Sequence, residues 1–325
     1  MTMVKTTVVI PNYNGIKYLE DCLTFLHRSK ETVFETIVVD NGSTDGSAEL
    51  LKSRFPWVKL IALKENTGFS HAVNVGIKES KTPYVLLLNN DTVVEHDFVA
   101  CLEKAMDENP GYFSFSSKML SMHEPEVIDD AGDYYCALGW AFARGKGKSA
   151  QRFTGKCDVF AACAGAAIYR REIFREIGYF DRLHFAYLED IDVGYRARLR
   201  GYKNGYCPKA VVYHAGSGFS GSRYNEFKVN LSSRNSIYLI YKNMPLLQIV
   251  LNFPLLLIGF LVKTLFFIKK GMGYVYVRGL WRGIKLSCSR EAAKMKFPFR
   301  GKYFWCYVKV QMELWYNLLR RVTEG

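Results

Sequence analysis

Within its first hundred residues the chain switches repeatedly between two hydrophobic periods, and that alternation restricts its fold more than any other feature. Short β-branched runs at Thr6–Ile10, Thr36–Asp40, Val58–Leu63 and Tyr84–Leu88 read as strands. Helix-period stretches at Ile16–His27, Ser47–Phe55 and Ser70–Glu79 separate them. Strands joined by short helical crossovers pair in parallel, so an α/β sheet with helices on both faces is expected. Ligands bind such sheets beyond the carboxyl ends of the strands. The polar residues gather there: Pro11-Asn12-Tyr13-Asn14-Gly15, Asp40-Asn41-Gly42-Ser43 and Asn89-Asn90-Asp91.

The stretch from about 110 to 222 is less regular and richer in glycine and aromatics. A small-residue run, Ala161 to Ala167, leads into Tyr169-Arg170-Arg171, and Glu189-Asp190-Ile191-Asp192 opens a helix-like stretch to Arg200. His214 follows Val211-Val212 and precedes Gly216, Gly218 and Gly221. No internal repeat or low-complexity segment is evident.

Charge divides the chain sharply. Residues 223–325 hold 18 basic and 4 acidic side chains, whereas residues 1–222 are near neutral, so the overall +13 comes from the last third. That distribution argues against a nucleic-acid binder and for a near-neutral domain followed by a segment that meets anions. Positions 243–262 carry no charge, close to the ~20 residues a span requires, but Pro245, Gln248, Asn252, Pro254 and Gly259 interrupt them. Two amphipathic stripes follow: Val277, Leu280, Trp281 and Ile284, flanked by Arg278, Arg282 and Lys285, and then Tyr307, Val310, Leu314 and Leu318. Basic flanks beside aromatic-rich apolar faces predict helices lying in an anionic bilayer interface. The alternatives are a cap on the core and, less favoured, a single span. The eight scattered cysteines read as reduced thiols, and the N-terminus enters a strand without a signal-peptide pattern.

Each chemical candidate has a plainer reading beside it. Asp40 at a strand end can accept from a nucleobase imide or a ribose hydroxyl, or can serve an Asx turn. Asp91 leaves a strongly apolar strand, where a carboxylate requires a partner. A hard divalent cation on substrate phosphates would supply one, and a solvated turn is the alternative. His214 could join that cation or be structural. Glu189 and Asp190 suit the positive end of a helix dipole, and Asp190 could equally act as a general base.

Taken together, the segments resemble family 2 glycosyltransferases, which have the GT-A fold. The nucleotide-binding half is matched by Val8-Val9-Ile10-Pro11-Asn12-Tyr13-Asn14, Val38 to Asp45, and Asn66-Thr67-Gly68-Phe69. Leu87-Leu88-Asn89-Asn90-Asp91-Thr92 is similar to the family's metal-binding D-x-D element, with Asn89 replacing the first Asp. Glu189-Asp190-Ile191-Asp192 resembles the element that supplies the base, and Val212 to Ser217 the downstream histidine segment. Ser233-Arg234-Asn235 resembles a rhamnosyltransferase-like branch.

The resemblance implies a catalytic domain over 1–222, with a nucleotide-sugar half at 4–110 and an acceptor half at 111–222. A basic, membrane-associated helical region at 223–325 completes the organisation. It implies a nucleotide diphosphate sugar held by Pro11, Tyr13, Asn14, Asp40, Asn66, Gly68, Asn89, Asn90 and Arg234. Mg2+ or Mn2+ would sit on Asp91 and His214, the acceptor near Gly165 and Glu189, and Asp190 would be the base of an inverting transfer. Arg170 and Arg171 are further candidates for diphosphate or acceptor contacts. The expected donor is dTDP-rhamnose, with UDP-galactofuranose, UDP-glucose and UDP-GlcNAc as alternatives. The expected acceptor is a lipid-linked glycan at the cytoplasmic face of the membrane. A nucleotidyltransferase would carry a basic glycine-rich loop after the first strand, and Pro11–Gly15 has no Lys or Arg. A non-catalytic glycan-binding protein of the same fold is disfavoured by the retention of Asp91 and Asp190. A processive synthase would need several spans. The oligomeric state is left open.

Overall fold

A computed structural model describes residues 4–29, 31–216 and 224–325. Ser217, Gly218, Gly221 and the boundary expected at 222/223 lie outside the described residues. The first half follows the predicted alternation: β1 (Thr6–Asn12), α1 (Ile16–Arg28), β2 (Phe34–Asp40), α2 (Ser47–Arg54), β3 (Lys59–Ala62), α3 (Phe69–Glu79) and β4 (Tyr84–Leu88). β1 pairs in parallel with both β2 and β4, and β2 with β3. β1 and β4 are buried on both faces, which explains their unbroken apolar runs.

The second half contributes β5 (Thr92–Val94), α4 (Phe98–Glu108), β6 (Tyr112–Ser121), β7 (Ile128–Asp130), β8 (Asp133–Cys136), β9 (Trp140–Ala143), β10 (Cys157–Val159), β11 (Ala166–Arg170), α5 (Phe174–Ile177), α6 (Glu189–Arg198) and β12 (Lys203–His214). β11 inserts antiparallel between β4 and β6, and β12 lies parallel to β6, giving the order β10-β12-β6-β11-β4-β1-β2-β3. The small residues of the 161–167 run let β11 enter the buried centre of this sheet, where Ala166 and Ala167 are fully covered. The result is the GT-A-like α/β fold.

Five helices end the chain: α7 (Glu226–Asn243), α8 (Leu246–Lys269), α9 (Gly273–Ser287), α10 (Arg290–Met295) and α11 (Phe304–Thr323). α7 is fastened to α6 by buried ion pairs. Lys242 Nζ lies 2.8 Å from Asp181 and 2.9 Å from Asp192, while Arg196 Nη2 approaches Asp192 to 2.7 Å. The two expected amphipathic stripes part company. On α9, Val277, Trp281 and Ile284 are exposed, and the helix seats instead through Tyr276, Gly279 and Gly283. On α11, Tyr307, Val310 and Leu314 are buried in the hydrophobic cluster that includes Tyr134, Tyr135 and Tyr195 of the α/β domain, so the interfacial expectation for that stripe is corrected to a core cap.

α8 is inverted relative to an ordinary surface helix. It runs unbroken through Pro254, and the polar residues that seemed to interrupt it face inward. Gln248 accepts from Tyr195 Oη at 2.7 Å, Asn252 exchanges two hydrogen bonds with Gln311, and Trp140 Nε1 donates to the Gly259 carbonyl. Leu247, Phe253, Leu257, Leu261 and Leu265 point outward. By length and composition it is the one described helix that could cross a membrane.

Candidate active site

Three strand ends are tied into one floor by a single side chain. Asn12 Nδ2, at the end of β1, donates to Asp40 Oδ1 at 2.8 Å, and Asn12 Oδ1 accepts from Asn90 Nδ2 at 2.6 Å. Asn14, at a φ of 49° that asparagine tolerates, bridges to the next loop: its Oδ1 accepts from the Thr44 backbone N–H. Above this floor opens a cleft of about 840 Å³. Pro11, Tyr13, Asn14, Asn66, Gly68, Asn89, Asn90, Asp91, Gly165, Glu189, Asp190 and His214 all line it.

Two expected residues do not. Asp40 is 3% exposed, and its carboxylate is taken up by Asn12 and by the backbone N–H and hydroxyl of Ser43. Asn41 lines the cleft beside it, with its amide bonded to Asn66 Oδ1 and to Thr67. Arg234 lies behind the wall, donating to the carbonyls of Leu183 and His184. Arg170 and Arg171 are spent on carbonyls of Met106 and Asn109 and of Lys81 and Thr82, at the opposite end of β4 and β11.

The pairing of Asp91 with His214 is a consequence of strand register. β5 runs antiparallel to the end of β12 with Thr92 opposite His214, which brings Asp91 Oδ1 to 3.3 Å from His214 Nε2. His214 Nδ1 is held at 2.7 Å by Asp129 Oδ2, and Asp129 in turn pairs with Lys146. Burial opposes a charge on this imidazole, but its hydrogen bonds to the carboxylates of Asp129 and Asp91 prevail and raise it to about 9. Asp91 Oδ1 and His214 Nε2, side by side on the cleft lining and with the other ring nitrogen held by a second carboxylate, supply one oxygen and one nitrogen donor for a divalent cation. Sequence reading missed Asp129 and its partner Lys146; the contact of Asp129 with His214 spans 85 positions and leaves no local signal.

Glu189 and Asp190, which also line the cleft, open α6. Burial raises the Asp190 carboxyl against the backbone N–H groups of Ile191 and Ala164. Glu189 is raised further by burial and by Asp190, and its Oε2 has no hydrogen-bond partner among the described residues. The loop before them is strained: Phe185, Tyr187 and Leu188 all have positive φ. Asn235 holds it, donating to the carbonyls of His184, Ala186 and Tyr187. Gly68, at φ +86°, meets that loop so closely that a Cβ would lie 2.6 Å from the Phe185 ring.

A sheet of this topology, with its polar strand ends converging on one cleft, defines a GT-A-type transferase scaffold. The model of the glycosyl transferase family 2 matches residues 7–178, and the chain belongs to that family. Among curated proteins it is 25% identical over 210 residues to the poly-beta-1,6-N-acetyl-D-glucosamine synthase of Staphylococcus aureus (strain COL), covering 64% of this chain and 49% of that one. The chain therefore spans about half the length of that relative. Among solved structures, S. aureus TarS 1–349 in complex with UDP-GlcNAc superposes with a TM-score of 0.59 at 18% identity, over 96% of this chain and 89% of that one. GalNAc-T7 with UDP, GalNAc and Mn2+ also gives 0.59, at 17% identity over 74% of this chain and 48% of that one. At such identities the superpositions speak for the fold.

Proposed function

We propose that this chain is an inverting glycosyltransferase that moves a sugar from a nucleotide diphosphate sugar to a hydroxyl of a lipid-linked glycan. The observation that carries the reading is a single cleft holding a half-buried carboxylate, Asp190, together with the Asp91–His214 pair. Asp190 takes the proton of the acceptor hydroxyl. Its raised affinity for a proton makes it a better base than an exposed carboxylate. Attack from the face opposite the leaving nucleotide inverts the anomeric carbon and requires no covalent enzyme intermediate. Pro11, Tyr13, Asn14, Asn41, Asn66 and Gly68 bind the nucleoside end, with Asp40 acting through Asn12 and Ser43. Asn89 and Asn90 lie toward the sugar, while Gly165 and Glu189 face the acceptor. Asp91 and His214 would hold Mg2+ or Mn2+, which when bound neutralises charge on the diphosphate leaving group. Much of the remaining rate comes from holding the two substrates in line.

The C-terminal region, residues 223–325 in this organisation, is the part that docks at the cytoplasmic face of the membrane. The outward leucines and phenylalanines of α8, beside the exposed stripe of α9, form one apolar surface on a strongly basic segment. In-plane docking is favoured over a span because α8 is hydrogen-bonded along its inner face to Tyr195 and Trp140 of the α/β domain and to Gln311 of α11.

The Ser233-Arg234-Asn235 resemblance favours dTDP-rhamnose as donor, whereas TarS binds UDP-GlcNAc and the S. aureus relative is a synthase of poly-beta-1,6-N-acetyl-D-glucosamine. A thermal-shift panel of sugar nucleotides, with and without Mn2+, separates these. A donor at 100 times its dissociation constant stabilises by about 2.7 kcal/mol. Absence of any shift across the panel would refute the transferase reading.

A further inference from the structure

A second concavity of about 430 Å³ adjoins the first, between the opening turns of α7 and the face of α9. Tyr274, Arg278 and Arg282 stand in a row along α9, at i, i+4 and i+8, and line it opposite Phe227, Asn230 and Leu231. Arg282 donates to Asn230, and neither arginine forms an ion pair with a carboxylate among the described residues. Glu226 is the single acid in its lining among the described residues. The positive field is felt nearby: burial and the charge of Arg282 lower the Arg234 guanidinium to about 10.

Two further relationships say what such a groove faces. The arginine row runs beside the exposed apolar stripe of Val277, Trp281 and Ile284, so a chain docked through that stripe holds both guanidiniums at the depth of lipid phosphates. Phe227 lines both this groove and the catalytic cleft, and its ring packs edge-on against Phe185 and Tyr187 of the loop that leads to Glu189 and Asp190. A molecule anchored at the arginines and extending over Phe227 therefore arrives at the acceptor side of the cleft.

We infer that Arg278 and Arg282 form a subsite for the lipid-borne phosphate or diphosphate that tethers the acceptor glycan in the bilayer. Guanidinium forks match phosphate oxygens in pairs and are weakly hydrated enough to work at an interface. The inference rests on the lipid-linked acceptor reading and adds to it the group that is gripped.

The test is sedimentation of the full chain with three vesicle types: phosphatidylcholine alone, the same doped with a polyprenyl phosphate, and the same doped to equal charge with phosphatidylglycerol. The wild-type chain is expected to bind the polyprenyl phosphate vesicles about tenfold more tightly than the phosphatidylglycerol ones. Arg278→Ala/Arg282→Ala is expected to erase that preference, and Arg278→Lys/Arg282→Lys to restore part of the lost binding. Thermal melting of each variant verifies that it is folded. If the alanine pair, folded, keeps the wild-type preference, the subsite is wrong while the lipid-linked reading stands. The subsite is equally wrong if the folded lysine pair recovers nothing. Displacement by a soluble phosphate monoester at matched phosphate concentration would overturn the lipid source. No sedimentation of the wild-type chain with any vesicle would overturn both readings.

Discussion

Lys242 of α7 places its Nζ 2.9 Å from Asp192 Oδ2 of α6, both side chains being almost fully buried. Asp181 shares the same ammonium, and Asn243 and Arg196 complete the bonding of Asp192. This cluster joins the helix that presents Asp190 to the helix that carries the Asn235 clamp. Lys242→Met would leave two buried carboxylates short of a counter-charge. A loss of about 3–5 kcal/mol is expected, measured by chemical denaturation.

Asp190→Asn is expected to lower transfer by ~10²–10⁴-fold while nucleotide-sugar binding is retained. The base works as the carboxylate, and burial raises its pKa. The acid limb of the rate profile should therefore lie above the ordinary aspartate value of 3.8. Activity within about tenfold of wild type in the variant would remove Asp190 from its role.

Asp129→Ala tests the orientation of His214. With Nδ1 released, the imidazole is free to turn away from Asp91, and metal affinity is expected to fall by ~10–100-fold. Titrating Mn2+ against the donor-induced thermal shift measures this. A variant that leaves the Mn2+ dependence unchanged would make the Asp129–His214 contact purely structural.

His184 predicts a pH dependence of stability. Its ring is fully buried, neither nitrogen has a hydrogen-bond partner among the described residues, and burial pushes it down to about 4 from 6.5. The unfolded chain takes up a proton near 6.5 and the folded chain only near 4, so stability is lost as pH falls through that window. The loss amounts to about 3 kcal/mol. Asp181 and Asp192, whose pKa values are lowered, lose their contribution further down, below the ordinary aspartate value. Glu189 and Asp190, whose carboxyls are raised, act in the opposite direction in both proteins, so the check is the difference in melting temperature: between pH 7 and 4 wild type should lose stability relative to His184→Phe.

Gly259→Ala should destabilise although alanine is the better helix former by about 1 kcal/mol. A Cβ at this position would lie 2.1 Å from the Leu138 carbonyl oxygen, against which α8 rests. A melting temperature at or above wild type would show that α8 is not seated there in solution.

The local pattern of the chain was enough to place β1 to β4, α1 to α3 and the polar strand ends, because helix and strand periods are properties of neighbouring residues. It also located Asp91, Asp190 and His214, since each sits at the end of an element whose type is legible. Only the tertiary structure decided how those positions are used. Asp40 looked like a ligand contact until Asn12, 28 positions away, took its carboxylate. Asp129 carried no local signal because its partner is remote in sequence. Gln248, Asn252 and Gly259 read as breaks in an apolar segment, yet they are its buried face. Periodicity reports which residues share a side of a helix, and which side meets protein is settled by the hydrogen-bond partners and close backbone contacts that the rest of the chain supplies. On α8 those partners are Tyr195, Gln311 and Trp140, so its polar side turned inward and its leucines outward.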